Sequence, residues 1–310
     1  MGMCLGNSAP LFADDTAALN KQAPGFQRMK LGDYIVTAIY DGYLDMDMKI
    51  LRNGSEKETR ALLARSFVDP AKLRIEVAAF VIDTGSKKIM VDAGAGITFG
   101  PTVGRLSDNL SAAGLDLDDI DAVLITHMHG DHIGGLLDEK GKPRFKNAVV
   151  YSAKEESGFW LSETQAASAP EDGKRYFKMA QDISAPYRKT GRWKTFEAQQ
   201  KLFEGITALS ASGHTPGHTA YKVSSGGQTL LLIGDLVHNM ATQFPKPEIS
   251  LVFDSDFHKA VTTRKAIFKE AAEDKVWVAA AHLPFPGMGK LVAESEGAYH
   301  WLPVAFSQMD

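Results

Sequence analysis

Residues 126–135 read Thr-His-Met-His-Gly-Asp-His-Ile-Gly-Gly, so His127, His129, Asp131 and His132 place four metal-ligating side chains within six positions. Imidazole and carboxylate are donors that zinc, manganese, cobalt and iron accept. Groups this close would repel one another on acidification and compete for hydrogen-bond donors at neutral pH. A bound cation removes that conflict, whereas a hydrogen-bonded polar turn has no need of this spacing. The apolar run Ala122–Thr126 (AVLIT) leads straight into the cluster. The chain must therefore fold so that a buried strand delivers the loop and other elements bring further ligands to it.

Further candidates stand just past other apolar runs, where a rigid sheet can aim them. His214 lies in Gly213-His214-Thr215-Pro216-Gly217-His218 after the strand-like Ile206–Ser210. Asp235 follows Leu230–Ile233 and Gly234, and His282 follows Val276–Ala281. Asp92, in Val91-Asp92-Ala93-Gly94, is expected to brace the histidine loop by hydrogen bonding. The single cysteine, Cys4, leaves no sulfur-based site and no intrachain disulfide.

Between these points the chain alternates strand and helix signals. Tyr34–Tyr40 reads as a strand ending at Asp41-Gly42, residues 56–67 as a helix, and Glu76–Asp83 with Lys88–Asp92 as a hairpin. A short helix is expected over 104–114, a strand over Val149–Ser152 and a long helical insertion over 153–190. Strands follow at Ala220–Val223 and Thr229–Ile233, a helix over 256–274 and a strand over Val276–Ala280. Two sheets packed face to face with helices outside accommodate this order, as a single domain over 29–310 behind an N-terminal arm, 1–28. Met1–Ala13 is apolar and rich in small residues but lacks a basic start. It reads equally as the remnant of an export signal, which would put the protein in the periplasm or outside the cell, or as a disordered arm of a cytoplasmic protein.

The pattern His-x-His-x-Asp-His, a His in Gly-His-Thr-Pro-Gly-His, an Asp after Leu-Ile-Gly and a late His resembles the metallo-β-lactamase-fold hydrolases. The resemblance covers nearly the whole chain from about residue 29. It implies an α/β fold, the αβ/βα four-layer sandwich with two packed mixed sheets, and a dinuclear site at one edge. It implies that His127, His129 and His214 hold one metal and that Asp131, His132 and His282 hold the other, with Asp235 bridging. His218 takes a place that is usually not a ligand. The cofactor implied is a pair of divalent ions, Zn2+ foremost, with Co2+ or Mn2+ as alternatives.

Phe99-Gly100-Pro101-Thr102, Phe159-Trp160-Leu161-Ser162 and Ala281-His282-Leu283-Pro284-Phe285-Pro286-Gly287 are similar to segments of the methyl parathion hydrolase-like subgroup. Its members are organophosphate hydrolases, aryl esterases and lactonases, typically exported homodimers. The resemblance assigns Phe99, Trp160 and Phe177 to the substrate pocket, to which we add Phe253; without it, core packing is the default for such aromatics. His238 stands three residues after Asp235, where quorum-quenching lactonases carry a tyrosine and methyl parathion hydrolase a leucine. A histidine there can donate to a carbonyl or alkoxide, which favours esters and lactones.

Two such metals would ionise a bridging water near neutral pH, and that hydroxide would attack the ester. Asp131 would orient it and relay a proton to the leaving group. The expected partners are small uncharged esters: organophosphate triesters, lactones or aryl esters, with a dedicated lactonase as the alternative. A net charge of −4 with no basic arm argues against nucleic acid, the partner of some relatives on this fold. No stretch approaches a membrane span. A di-iron redox protein would carry Glu in place of His129 and need a flavin domain. A decayed binding module would have lost ligands, and none is missing.

Overall fold

The computed structural model describes residues 22–309. The expected signal remnant, Met1–Ala13, lies outside the described residues. The first sheet contains Phe26–Leu31, Tyr34–Met46, Leu73–Asp83, Lys88–Val91, Ala122–Leu124, Val149–Ala153 and Trp193–Phe196, in that spatial order. Its first four strands pair antiparallel and the remaining three pairings are parallel. The second sheet runs from Tyr299–Pro303 through Met288–Ala293, Trp277–Ala279, Gln228–Leu232, Thr219–Ser225 and Ile206–Ser210 to Lys201–Phe203.

The sheets meet over a core in which Val36, Phe80 and Leu124 of the first face Ile206, Tyr221 and Leu230 of the second. Helices Leu106–Ala112 and Glu171–Lys189 cover the outer face of the first sheet through Leu110, Phe177 and Tyr187. Helix Phe257–Glu273 covers the second through Phe268 and Ala271. This is the expected αβ/βα four-layer sandwich. Ala122–Leu124 is buried on both faces, which explains its unbroken apolar sequence; Val123 and Leu124, fully buried, each contribute about 1.5–3 kcal/mol.

Several expected boundaries shift. The second strand does not stop at Asp41-Gly42 but runs to Met46, through a register shift between Tyr40 and Gly42. Gly42 has φ +148, and a Cβ there would stand 2.1 Å from Thr102 O, so the bulge admits only glycine. Asp41 is buried and takes hydrogen bonds from Ala95 N (2.8 Å) and Leu106 N (2.9 Å). The turn-like Asp-Gly thus anchors two loops inside one strand. The insertion over 153–190 resolves into helices Lys154–Trp160, Glu163–Ser168 and Glu171–Lys189. Strands Met288–Ala293 and Tyr299–Pro303 carried no sequence signal because several of their residues face solvent. No helix among the described residues is long and apolar enough to cross a membrane.

Candidate metal centre and pocket

Every candidate ligand lies just past a strand at one edge of the two sheets. His127 follows Ala122–Leu124, His214 follows Ile206–Ser210, Asp235 follows Gln228–Leu232 and His282 follows Trp277–Ala279. His238 makes one overlapping group with Asp235 and His282, beside the two groups that hold the seven candidate ligands: His127, His129, His214 and Asp235 make one, and Asp131, His132 and His282 make the other. Asp235 divides between them. Its Oδ2 lies 3.2 Å from His214 Nε2 and 3.5 Å from His127 Nε2, while Oδ1 lies 3.1 Å from His132 Nε2 and 3.2 Å from His282 Nε2. Asp131 Oδ2 lies 3.4 Å from His282 Nε2. The sequence-selected ligands are therefore one cluster in space.

The outward ring nitrogens are held by partners that fix each imidazole's orientation. His132 Nδ1 meets Asp92 Oδ2 at 2.9 Å, and Asp92 also accepts from Thr126 N and Oγ1, both at 2.8 Å. Asp92 has φ +60, an uncommon conformation that aims its carboxylate back at the loop. His282 Nδ1 faces Glu76 O at 2.5 Å, and His214 Nδ1 faces Asp254 Oδ1 at 2.9 Å. His218 is not aimed at the cluster: its Nδ1 donates to Ala211 O (3.1 Å) and its Nε2 accepts from Asp235 N (3.0 Å), bracing the Asp235 turn. Gly234, at φ +49, lets that turn pass His218, since a Cβ would meet His218 Nε2 at 2.6 Å.

The inward nitrogens, by contrast, face one another. His129 Nδ1 is 3.0 Å from both His127 Nε2 and His214 Nε2, and His132 Nε2 is 3.3 Å from His282 Nε2. Among the described residues Asp235 Oδ1 is buried with no hydrogen-bond partner. Burial resists a charge on Asp235, yet His132, His282, His127 and His238 hold its carboxyl well below the usual range. Burial also resists protonating the histidines. Asp235 nonetheless lifts His214 to about 9, and Asp235, Asp131 and Asp92 carry His132 well above its ordinary value. Burial wins at His129, pushed to about 3, and also holds His127 well below its ordinary value. The cluster demands positive charge at its centre and has an orphaned oxygen there. Two divalent ions fit this nitrogen and oxygen donor set.

Above the cluster opens a cavity of about 420 Å³ lined by Phe99, Trp160, Tyr176, Phe253 and the aliphatic side chains of Leu44, Met46, Ile50, Ile75 and Val252. Its polar lining includes His129, Asp131, His214, Asp235, His238 and His282. Phe99, Trp160, Phe253 and His238, expected at a substrate pocket, line this cavity. Phe177 does not. It is 5% exposed and packs behind Trp160, ring centroids 4.7 Å apart, as part of the core under the first sheet. A helix presents neighbouring residues about 100° apart, so Tyr176 lines the cavity while Phe177 turns inward.

His238 also differs from expectation in orientation. Its Nε2 meets Asp235 Oδ2 at 3.0 Å, its ring stacks on His282 (4.8 Å), and its Nδ1 is buried with no partner among the described residues. Burial pushes it down to about 4, so the ring is neutral and its single N–H points to Asp235. Nδ1 is then an acceptor; the expected donation to a carbonyl does not follow from this rotamer.

Sequence reasoning missed Asp254, Glu156 and the aliphatic wall. Asp254 sits beside Phe253, an acid among apolar residues at Leu251–Asp254, which was the available signal. Leu44 and Met46 were lost with the truncated strand.

The Metallo-beta-lactamase superfamily model matches residues 74–282, more than half of the chain and all seven candidate ligands. The hydrolase AbOPH of the beta lactamase superfamily superposes with TM-score 0.89 at 33% identity, over 93% of this chain and 100% of that one. AidC, a dizinc quorum-quenching lactonase solved with N-hexanoyl-L-homoserine as product, gives TM-score 0.85 at 28% identity over 92% and 99%. The Lactamase-like protein ptaB of Pestalotiopsis fici is 31% identical over 102 residues, which is 32% of this chain and only 31% of that protein's length. The chain belongs to the metallo-β-lactamase superfamily.

Proposed function

We propose that this protein is a dinuclear-metal hydrolase of uncharged esters: lactones, aryl esters and organophosphate triesters, in the manner of the methyl parathion hydrolase-like subgroup. The observation that carries the reading is the division of the Asp235 carboxylate between two ligand groups at the floor of a largely apolar cavity. A bound metal pair, zinc foremost, supplies Lewis acidity toward a C=O or P=O oxygen and ionises water near neutral pH.

The chain's own residues do the rest. Asp235 holds the two ligand groups in register. Asp131, 17% exposed against 3% for Asp235, faces the cavity, where it orients water and passes a proton to a leaving oxygen. His238 directs its Nε2–H to Asp235 Oδ2 and steadies that carboxylate at the cavity floor. Phe99, Trp160, Tyr176 and Phe253 seat an aryl or acyl group and exclude water. The lining carries no lysine or arginine among the described residues, so no side chain there clamps an anionic group.

A second reading, a dedicated lactonase with only promiscuous phosphotriesterase activity, is favoured by the likeness to AidC. Side-by-side kcat/KM on a lactone, a nitrophenyl ester and a phosphotriester, with metal content measured on the same sample, decides between them. A lactone preference above about a hundredfold selects the second reading. No turnover of any of the three by protein carrying two metals refutes both. The proposal extends to a homodimer and to export, tested by light scattering and by N-terminal sequencing of protein recovered from cells.

A further inference from the structure

We propose that Glu156 is a positioning residue that locks the His127–His129 loop, the His214 loop and the pocket-wall indole into one unit. This deepens the metal-centre reading and rests on it. Glu156 lies in the first turn of helix Lys154–Trp160 and is 0% exposed. Its Oε1 accepts from Met128 N and from Trp160 Nε1, both at 2.8 Å. Its Oε2 accepts from Thr215 Oγ1 at 2.7 Å and from Gly217 N at 3.0 Å. Met128 stands between His127 and His129, and Thr215 follows His214.

One side chain therefore touches both loops that supply the histidines of a single ligand group. The other group is braced elsewhere, by Asp92 on His132 and by Glu76 O on His282. Four donors converge on Glu156, so the ionised carboxylate is the form that satisfies them all. Burial pushes its pKa up while those hydrogen bonds oppose the rise. The approach is tight: a Cβ on Gly217 would lie 2.1 Å from Glu156 N, so glycine is what admits the His214 loop to this carboxylate. Trp160, held through the same Oε1, packs edge-on to His129 with centroids 5.4 Å apart. Pocket wall and ligand geometry are thus set by one group that neither substrate nor metal touches.

The test is Glu156→Gln, which keeps the shape but turns one oxygen into a donor. Thr215 can rotate its hydroxyl to accept, whereas the backbone N–H of Gly217 or Met128 cannot. Metal release from loaded protein is followed by elemental analysis during a chelator titration without substrate. In Glu156→Gln one equivalent leaves at a chelator concentration about tenfold or more below wild type, and the second follows the wild-type curve. The variant also shifts tryptophan emission, and the shift vanishes in a Trp160→Phe background. Should Glu156→Gln fail to fold, Thr215→Val decides; it removes one donor and loosens the same equivalent to a lesser degree. An unchanged release curve in the folded variant overturns the proposal, as does equal loosening of both equivalents with a lowered Tm. Because no ester enters the measurement, failure of the substrate assignment leaves this result intact. A wild-type protein that binds fewer than two equivalents identifies failure of the metal-centre reading instead.

Discussion

His214 Nδ1 and Asp254 Oδ1 stand 2.9 Å apart with both side chains buried, so the nitrogen that faces the metal cluster is chosen by a carboxylate outside it. Arg264, wholly buried, holds Leu236 O and lies 4.0 Å from Asp254, linking this pair to the Asp235 turn. Asp254→Asn should therefore loosen the metal and lower kcat/KM by about 10–100-fold. Equilibrium dialysis and steady-state kinetics check this; values within twofold of wild type remove Asp254 from the site's support.

Asp235→Asn replaces a shared anion by a group with one oxygen and one donor nitrogen. The loss should exceed the 10–100-fold typical of supporting residues, and metal content should fall below two equivalents. A variant retaining activity within about tenfold of wild type would contradict the bridging role.

His238→Leu removes the N–H that reaches Asp235 and keeps much of the volume. Turnover of lactone, aryl ester and phosphotriester should decline together, read as kcat/KM values on one preparation. Unaltered values leave His238 with a packing role only.

Removing metal should expose the titration of the cluster. Raised histidines, with His214 at about 9, bind extra protons in the folded state, so their stabilisation is full below their ordinary 6.5 and is lost as pH climbs toward 9. Lowered histidines, His129 at about 3 and His238 at about 4, act oppositely; their contribution is lost as pH falls from 6.5 toward those values. The metal-free Tm should peak near 6.5. Metal displaces the shared protons, so the loaded protein should lack the alkaline decline and loading should release protons. A metal-free Tm that rises from pH 7 to 9 refutes this balance.

Phe177→Ala should destabilise the fold by about 3–5 kcal/mol, since Phe177 fills the core behind Trp160. Phe99→Ala, at the cavity, should instead raise KM for aryl substrates with a smaller change in Tm. Chemical denaturation beside kinetics separates the two, and equal effects would return Phe177 to the pocket wall.

The sequence by itself pointed to two packed sheets with helices outside and marked the side chains of the cluster. His127, His214, Asp235 and His282 each stand just past an apolar strand, and strand alternation and loop punctuation are local properties. It also marked Asp92 through its place after Val91. Tertiary structure alone decided the rest, because the deciding contacts join residues far apart in the chain. Glu156 meets Thr215 across 59 positions and His214 meets Asp254 across 40. The bulge at Gly42 depends on Thr102, and it carries Leu44 and Met46 to the pocket. Which of Tyr176 and Phe177 meets the cavity is a matter of helix rotation, set by what packs beneath. Periodicity shows that a face is buried; only the fold says whether it is buried against core or against substrate.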